Sequence, residues 1–241
     1  MMSCFFVTGT DTNVGKTVSS RAIIQALQNQ GIQIVGYKPI ACCQEDWSYC
    51  ESTVDSDYGL ENNSDVLTLI DATKENVTYQ NVNSYSFSHS LPMLSEDGQR
   101  IDIKKINADL SALTQRYQSV LVEGAFGWLT PMNKEYSFAS WAISHKMPVV
   151  LVVGIKEGCI NHALLTAQSI QQSGLPLVGW IANRINPGLA HYAEIIEMLS
   201  EKIDAPLLGQ IPYVHRPEEQ ELGHYITNIE RLTYLQTEWV K

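Results

Sequence analysis

"FFVTGTDTNVGKTVSS", residues 5–20, decides how the rest of the chain is read. A short apolar, β-branched stretch leads into a glycine-bearing turn, then Lys-Thr, then a segment with helical periodicity. In that order of strand, turn and helix, backbone N–H groups and a helix N-terminus can surround a phosphate. The common loop of this kind reads G-x-x-x-x-G-K-[ST]. Here five residues, Thr10 to Val14, separate Gly9 from Gly15 before Lys16 and Thr17, so the loop is lengthened by one. Lys16 is placed to reach the β- and γ-phosphates, and Thr17 to ligate Mg2+. The same residues also read as a plain turn, with the threonine capping a helix.

Outward from the loop, apolar β-branched runs alternate with helical stretches, the pattern of a parallel sheet covered by helices on both faces. The expected fold is doubly wound α/β, P-loop NTPase-like with a mostly parallel sheet, as one domain across residues 1–241. Strands are expected at residues 4–8, 32–37, 119–122, 149–153 and 177–182, with 207–211 as a sixth. Their near-continuous hydrophobicity marks strands buried on both faces. The helix after the loop, residues 16–30, repeats apolar side chains at Val18, Ala22, Ile23, Ala26 and Leu27 and stops at Gly31. Residues 43–63 carry Glu45, Asp46, Glu51, Asp55, Asp57 and Glu61 with no Lys or Arg, and read as a solvated excursion.

Composition excludes several function classes. A chain of 241 residues that is 44% hydrophobic can bury a sizeable core. Its net charge of -10, with no run of Lys or Arg, argues against a nucleic-acid partner, because phosphate neutralisation needs clustered cations. The longest apolar run, "VVLVVGI" at residues 149–155, is far below the ~20 residues of a membrane span. No basic residue precedes Lys16, so no export signal is expected. Five cysteines, an odd count, then read as reduced thiols of a cytoplasmic protein.

Three further strand ends draw attention, because open α/β sheets bind ligands there. "GYKPI", residues 36–40, puts Lys38 at a strand end, with Pro39 expected to stop the strand. "SVLVEGAFGWLTP", residues 119–131, opens from a buried strand into small residues with Glu123 at the junction; a carboxylate there can hold the Mg2+ that bridges phosphates. "VGWIANRI", residues 178–185, puts Asn183 at a strand end, where its amide matches a purine edge. Taken singly, each has a blander reading: a surface lysine, a capping glutamate, a turn asparagine. Cys42, Cys43 and Cys50 lack a zinc spacing and lie near no histidine, and the six histidines are scattered. His162 reads as a packed or capping residue.

Taken together, "TGTDTNVGKT", "GYKP", "NSDVL", "VEGA", "VVGIKEGCINHALLTAQ", "GWIANR" and "APLLGQIPY" resemble the dethiobiotin synthetase family along nearly the whole chain. That family uses the longer loop, so the resemblance accounts for the extra residue. It implies ATP-dependent joining of 7,8-diaminononanoate and CO2 into a cyclic urea through a carbamate and a carbamic-phosphoric anhydride. It further implies ATP contacts from Asn13, Val14, Gly15, Lys16, Thr17 and Val18, and Mg2+ held by Thr17, Asp65 and Glu123. Lys38 is implied as the catalytic lysine beside Lys16. Gly124, Ala125 and Phe126 are implied to line the nucleotide site, Asn183 and Arg184 to meet adenine, and Pro212, Tyr213 and Val214 to flank the base. "EGCIN" is implied to open a helix whose residues Gly158, Cys159, Ile160 and Asn161 hold the substrate carboxylate of the other subunit in a homodimer. Asn161 is also a candidate helix cap.

The chain departs from the family pattern in three places. Cys42 stands where a serine is usual, and it is a weaker donor toward substrate. "EGAFG" replaces "EGAGG", putting Phe126 where glycine would allow close backbone approach or positive φ. The acidic excursion before Asp65 is long. Two other classes stay open at this level: a P-loop regulatory module, whose relatives carry a signature lysine where this chain has Asp11, and an amide-forming synthetase, whose relatives carry a glutaminase domain for which 241 residues leave no room.

Overall fold

The structure is a computed structural model that describes residues 3–42, 63–87 and 100–234. Its strands are β1 (Ser3–Gly9), β2 (Ile34–Cys42), β3 (Asn83–Phe87), β4 (Ser119–Glu123), β5 (Val149–Gly154), β6 (Leu177–Asn183) and β7 (Leu207–Ile211). They form one parallel sheet in the order β3-β2-β4-β1-β5-β6-β7. The helices are α1 (Lys16–Asn29), α2 (Ser64–Ala72), α3 (Tyr79–Val82), α4 (Ile103–Arg116), α5 (Phe138–Ser144), α6 (Cys159–Gln172), α7 (Tyr192–Lys202) and α8 (Glu230–Tyr234). The doubly wound expectation is met.

Alternation along the strands divides the core in two. Phe5 and Val7 of β1 face one side with Leu121, Val150 and Val152, where Ile23, Ile24 and Leu27 of α1 and Leu69 of α2 cover them. Phe6 faces the other side with Val120, Val122, Leu151 and Val153, against Leu110 and Leu113 of α4, Trp141 of α5 and Ala163 of α6. β1 lies between β4 and β5, so the loop after β1 emerges where the direction of winding reverses, the crevice in which such sheets take ligands.

Two expectations about the strands need correction. β2 does not stop at Pro39 but runs on to Cys42. Its pairing with β4 covers residues 34–37, and pairing with β3 begins at Lys38 and resumes at Ile40, so the proline sits where the sheet places little demand on its missing N–H. β3 itself was not expected: it is a short edge strand, "NSYSF", with most of its residues half-buried, and it lacks the continuous apolar run that marks the inner strands. The acidic excursion and Cys43 and Cys50 lie outside the described residues, apart from Asn63. That residue closes the gap: its amide donates to the Cys42 carbonyl at 3.1 Å and its Oδ1 accepts from Asp65 N at 3.1 Å, capping α2. None of the described cysteines, Cys4, Cys42 and Cys159, is in a disulfide, and burial pushes the Cys4 thiol up to about 12.

Candidate active site

The lengthened loop is held by its neighbours rather than by its own turns. Thr10 N donates to Val152 O of β5 at 3.1 Å, and Asn183 at the end of β6 donates its side-chain amide to Val14 O at 3.0 Å. Gly15, the N-cap of α1, has φ 88°, and a β-carbon there would lie 1.9 Å from the Asn183 amide nitrogen. Only glycine fits both the left-handed backbone and that approach. Asn13 also takes positive φ, at 54°, a conformation asparagine tolerates. Val14 is buried and anchors the loop's tip, while Val18 is half-buried on α1. The loop thus rests on two strands, β5 at Thr10 and β6 at Val14.

Around this loop the sheet gathers the charged groups expected from sequence. Lys38, 3% exposed at the end of the β4-paired part of β2, donates to Asp65 Oδ2 at 2.7 Å and to Glu123 Oε1 at 2.5 Å. The Thr17 hydroxyl donates to the same Glu123 oxygen at 2.8 Å. Glu123 is fully buried and its Oε2 has no hydrogen-bond partner. Burial alone would lower the Lys38 pKa, but Asp65 and Glu123 outweigh it and hold the ammonium above the usual lysine value. Burial would likewise raise Asp65, yet Lys38 and the Thr17 hydroxyl keep its carboxyl below the usual range.

Lys16 behaves in the opposite way. Its ammonium donates to the Asp11 carbonyl at 2.8 Å, across the loop. Burial, then repulsion from Lys38, bring it down to about 8, and Glu123, Asp65 and Asp11 offset only part of that fall. A buried cation held by one carbonyl is poised for an anion. The Asp11 carboxylate in turn faces Lys156 at 3.3 Å, a half-exposed pair that ties the loop to the segment before α6.

The donor set suits a hard divalent ion. Among the described residues no group of three or more His, Cys, Asp or Glu gathers. The available ligands are the Thr17 hydroxyl, the orphaned Glu123 Oε2 and the Asp65 carboxylate, oxygen donors only, as Mg2+ prefers while keeping several waters. A buried carboxylate oxygen without a donor is costly unless something binds there.

Other expected site residues fall as follows. In the segment after β4, a β-carbon on Gly124 would meet the Phe6 ring at 2.7 Å, so this glycine admits the backbone over an aromatic cluster with Trp128 and Trp141. Ala125 is buried, and Phe126 has φ 58°, the left-handed conformation that the family's glycine would adopt freely. Asn183 pairs in register with Ile211, and Arg184 N donates to Ile211 O at 2.9 Å, which brings Pro212, Tyr213 and Val214 to the same end of the sheet. The Arg184 guanidinium turns to the Pro187 carbonyl at 2.9 Å and the Tyr192 ring at 4.7 Å. Cys42 is half-buried at the end of β2.

The expected helix start is present, with its details corrected. α6 begins at Cys159 with Gly158 as N-cap at φ 78°, so Asn161 lies within the first turn rather than capping it. Gly158 and Asn161 are exposed, Ile160 is half-buried and Cys159 is buried. His162 is exposed, not packed, because it sits on the α6 face turned away from Ala163 and Ala167.

Sequence reading missed three supports. Asn63 orients Asp65; its signal was a cap residue just before a helical pattern. Arg21 on α1 donates to Asp71 Oδ2 at 2.6 Å and to Gln220 O at 2.9 Å. Gln25, one turn on, accepts from Leu222 N at 2.7 Å and Gly223 N at 3.1 Å and donates to Gln220 O at 3.2 Å. These two side chains bind the segment after β7 to the loop helix. Polar residues at core-facing helix positions gave no pattern from which such a long-range partner could be read.

A parallel sheet with this loop at its switch point, a lysine reaching into it and paired carboxylates below define a P-loop ATPase-type protein. Its shape agrees with the cell-division protein MinD from Pyrococcus horikoshii, determined with Mg-ADP, at a TM-score of 0.61 and 16% identity over 98% of each chain. A ParA family ATPase from Chlorobium tepidum agrees at 0.56 and 15% identity over 97% of this chain and 98% of that one. At such identity the likeness shows the fold alone. Residues 4–221 match the family described as AAA domain. Sequence likeness goes further: the chain is 68% identical over 242 aligned residues, all of both chains, to ATP-dependent dethiobiotin synthetase BioD of Mannheimia succiniciproducens. It is 69% identical to BioD 1 of Pasteurella multocida over 98% of each chain, and 46% identical to BioD 2 of Escherichia coli K12 over 94% of this chain and 93% of that one. The chain belongs to the ATP-dependent dethiobiotin synthetase family.

Proposed function

We infer that this chain is an ATP-dependent cyclo-ligase that closes the ureido ring of dethiobiotin from 7,8-diaminononanoate and CO2, releasing ADP and phosphate. The observation that carries the reading is the full-length 66–69% identity to relatives named for that activity, in a chain whose Lys16, Thr17, Lys38 and Glu123 meet at one crevice.

The chemistry asks little of the protein beyond positioning and charge. One substrate amine adds to CO2 and loses a proton, giving a carbamate. A carbamate oxygen then forms a bond to the γ-phosphorus as the bond to the ADP oxygen breaks. Two anions meet in that step, and cations must offset their repulsion. Lys16 and the loop N–H groups hold the phosphates, and Lys38 lies on the substrate side of them. Thr17, Asp65 and Glu123 would hold Mg2+, which when bound neutralises charge on the phosphate oxygens. The resulting mixed anhydride makes phosphate the leaving group, and the second amine attacks the carbonyl carbon to close the ring.

Positioning falls to the remaining expected residues. One N–H of the Asn183 amide is spent on Val14, which leaves the other and Oδ1 for the adenine edge, with Arg184, Pro212, Tyr213 and Val214 beside it. Residues 124–126 line the path between the nucleotide and the substrate, where Cys42 faces the latter. The start of α6 offers free N–H groups and the positive end of a helix dipole to the substrate carboxylate. Gly158 and Asn161 there are exposed on their own chain, which supports their service to a second subunit in a homodimer. No described helix is long and apolar enough to cross a membrane. The test is phosphate release from ATP with and without diaminononanoate and bicarbonate, with product mass read in parallel. ATP turnover that ignores both substrates and yields no dethiobiotin would overturn the reading.

A further inference from the structure

Two cations, the Lys38 ammonium and a divalent ion, would compete for the same two carboxylates. Lys38 spans Asp65 Oδ2 at 2.7 Å and Glu123 Oε1 at 2.5 Å, and the Thr17 hydroxyl donates to that same Glu123 oxygen at 2.8 Å. Those carboxylates and that hydroxyl are also the oxygen donors that fit a divalent cation, and Glu123 Oε2 beside them has no partner. An ammonium and a divalent ion cannot both sit on one pair of carboxylates at contact distance without strong repulsion in a buried site.

We propose that Lys38 is a stand-in cation. In the nucleotide-free protein it neutralises Asp65 and Glu123 and keeps them in the geometry the metal needs, and arrival of the metal with the nucleotide displaces it. The inference rests on the assignment of Asp65 and Glu123 to the divalent ion, and adds a positioning role for Lys38 to its place in the reaction. Burial dictates the need. Glu123 is 0% exposed and Lys38 3%, so removing the ammonium alone leaves a buried charge uncompensated, among the costliest single changes a core can suffer. The exchange also gives order to the reaction. While Lys38 is held by carboxylates it has no charge to spare for a carbamate. Once a divalent ion takes those oxygens, the same ammonium is free for the anions that came with the nucleotide. The catalytic lysine is thereby armed only when nucleotide and metal are present.

The test reads metal binding rather than turnover, on the full chain without nucleotide. Mn2+ stands in for Mg2+, and free Mn2+ is measured by electron paramagnetic resonance for the wild type, Lys38→Met and Lys38→Arg. Lys38→Met should bind Mn2+ at least about tenfold more tightly than the wild type, since its competitor is gone and two carboxylates lack a counter-ion. Lys38→Arg, which keeps the charge, should bind as weakly as the wild type. If Lys38→Met is unfolded in metal-free buffer by circular dichroism, recovery of the fold on adding Mn2+ is the same result in stronger form, and failure to recover overturns the proposal. Equal or weaker Mn2+ binding by a folded Lys38→Met also overturns it. A parallel titration with ADP separates the two claims. Mn2+ bound by the wild type with ADP, but no gain in Lys38→Met without it, removes the exchange and leaves the metal ligands standing. No Mn2+ binding by any of the three chains, even with ADP, removes both.

Discussion

Phe126 holds a left-handed backbone, φ 58°, between buried Ala125 and half-buried Gly127. For an L-residue that conformation costs roughly 1–2 kcal/mol, because the β-carbon crowds the following carbonyl. Glycine escapes this penalty but loses about 0.5–1 kcal/mol relative to alanine through its freer unfolded state. Replacing the ring by either residue removes the same packing against the core, so the pair Phe126→Ala and Phe126→Gly isolates the backbone. The glycine variant should be the more stable by about 0.5–1 kcal/mol, or roughly 2 °C in Tm for a chain of this length. The neighbouring position supplies the control. Gly127 has ordinary φ, and a β-carbon there would meet nothing nearer than the Gly9 carbonyl at 3.8 Å, so Gly127→Ala should leave stability unchanged or raise it. Reversible urea unfolding of the four chains gives the comparison from midpoints at equal slope. A Phe126→Ala chain as stable as Phe126→Gly would refute the strain, and the aromatic would then be read as ordinary packing.

The other predictions concern charge and contact. Lys16 titrates near 8 in the folded chain, below its ordinary 10.5, so the unfolded chain binds more protons between those values and stability rises with pH across that window by about 3 kcal/mol; Lys16→Met should flatten the rise in pH-dependent urea unfolding. Phosphates restore the charge, so ADP binding at pH 8 should take up about half a proton by calorimetry in buffers of different ionisation enthalpy, and none in Lys16→Met. Gln25→Leu leaves the N–H groups of Leu222 and Gly223 without their acceptor and should cost about 2 kcal/mol, seen as a lowered urea midpoint, while Gln25→Glu keeps the acceptor and should cost less. Asn161→Asp places a negative charge in the first turn of α6, where it favours the helix but repels a carboxylate. Its KM for diaminononanoate should rise about tenfold at unchanged stability, and an unchanged KM would remove this turn from the substrate site.

The inner strands were legible because burial on both faces leaves only apolar residues, and the loop because its chemistry is local in sequence. Glu123 and Asn183 were legible as strand ends; Lys38 was expected at one too but lies inside β2, and only the sheet order reveals that β2, β4 and β6 deliver the three to one crevice. Edge strand β3 escaped because a half-buried strand needs no apolar run, and Pro39 misled because its missing N–H matters only where a neighbour strand would use it. The tie of Gln25 to residues 220–223 joins positions almost two hundred apart and leaves no local trace. At Phe126 the family's glycine left two readings open, close backbone approach or positive φ, and the backbone at φ 58° bears out the second.

The direct test of ring closure by way of a carbamate is the fate of oxygen. Rapid mixing of the enzyme, ATP and diaminononanoate with 18O-labelled CO2, before the label exchanges with water, should yield phosphate carrying one labelled oxygen and dethiobiotin carrying the other in its ureido carbonyl, both read by mass spectrometry. Phosphate free of label, formed in step with ATP consumption, would show that water and not a carbamate oxygen attacks the γ-phosphorus, and would contradict the assignment of this site to carbamate activation.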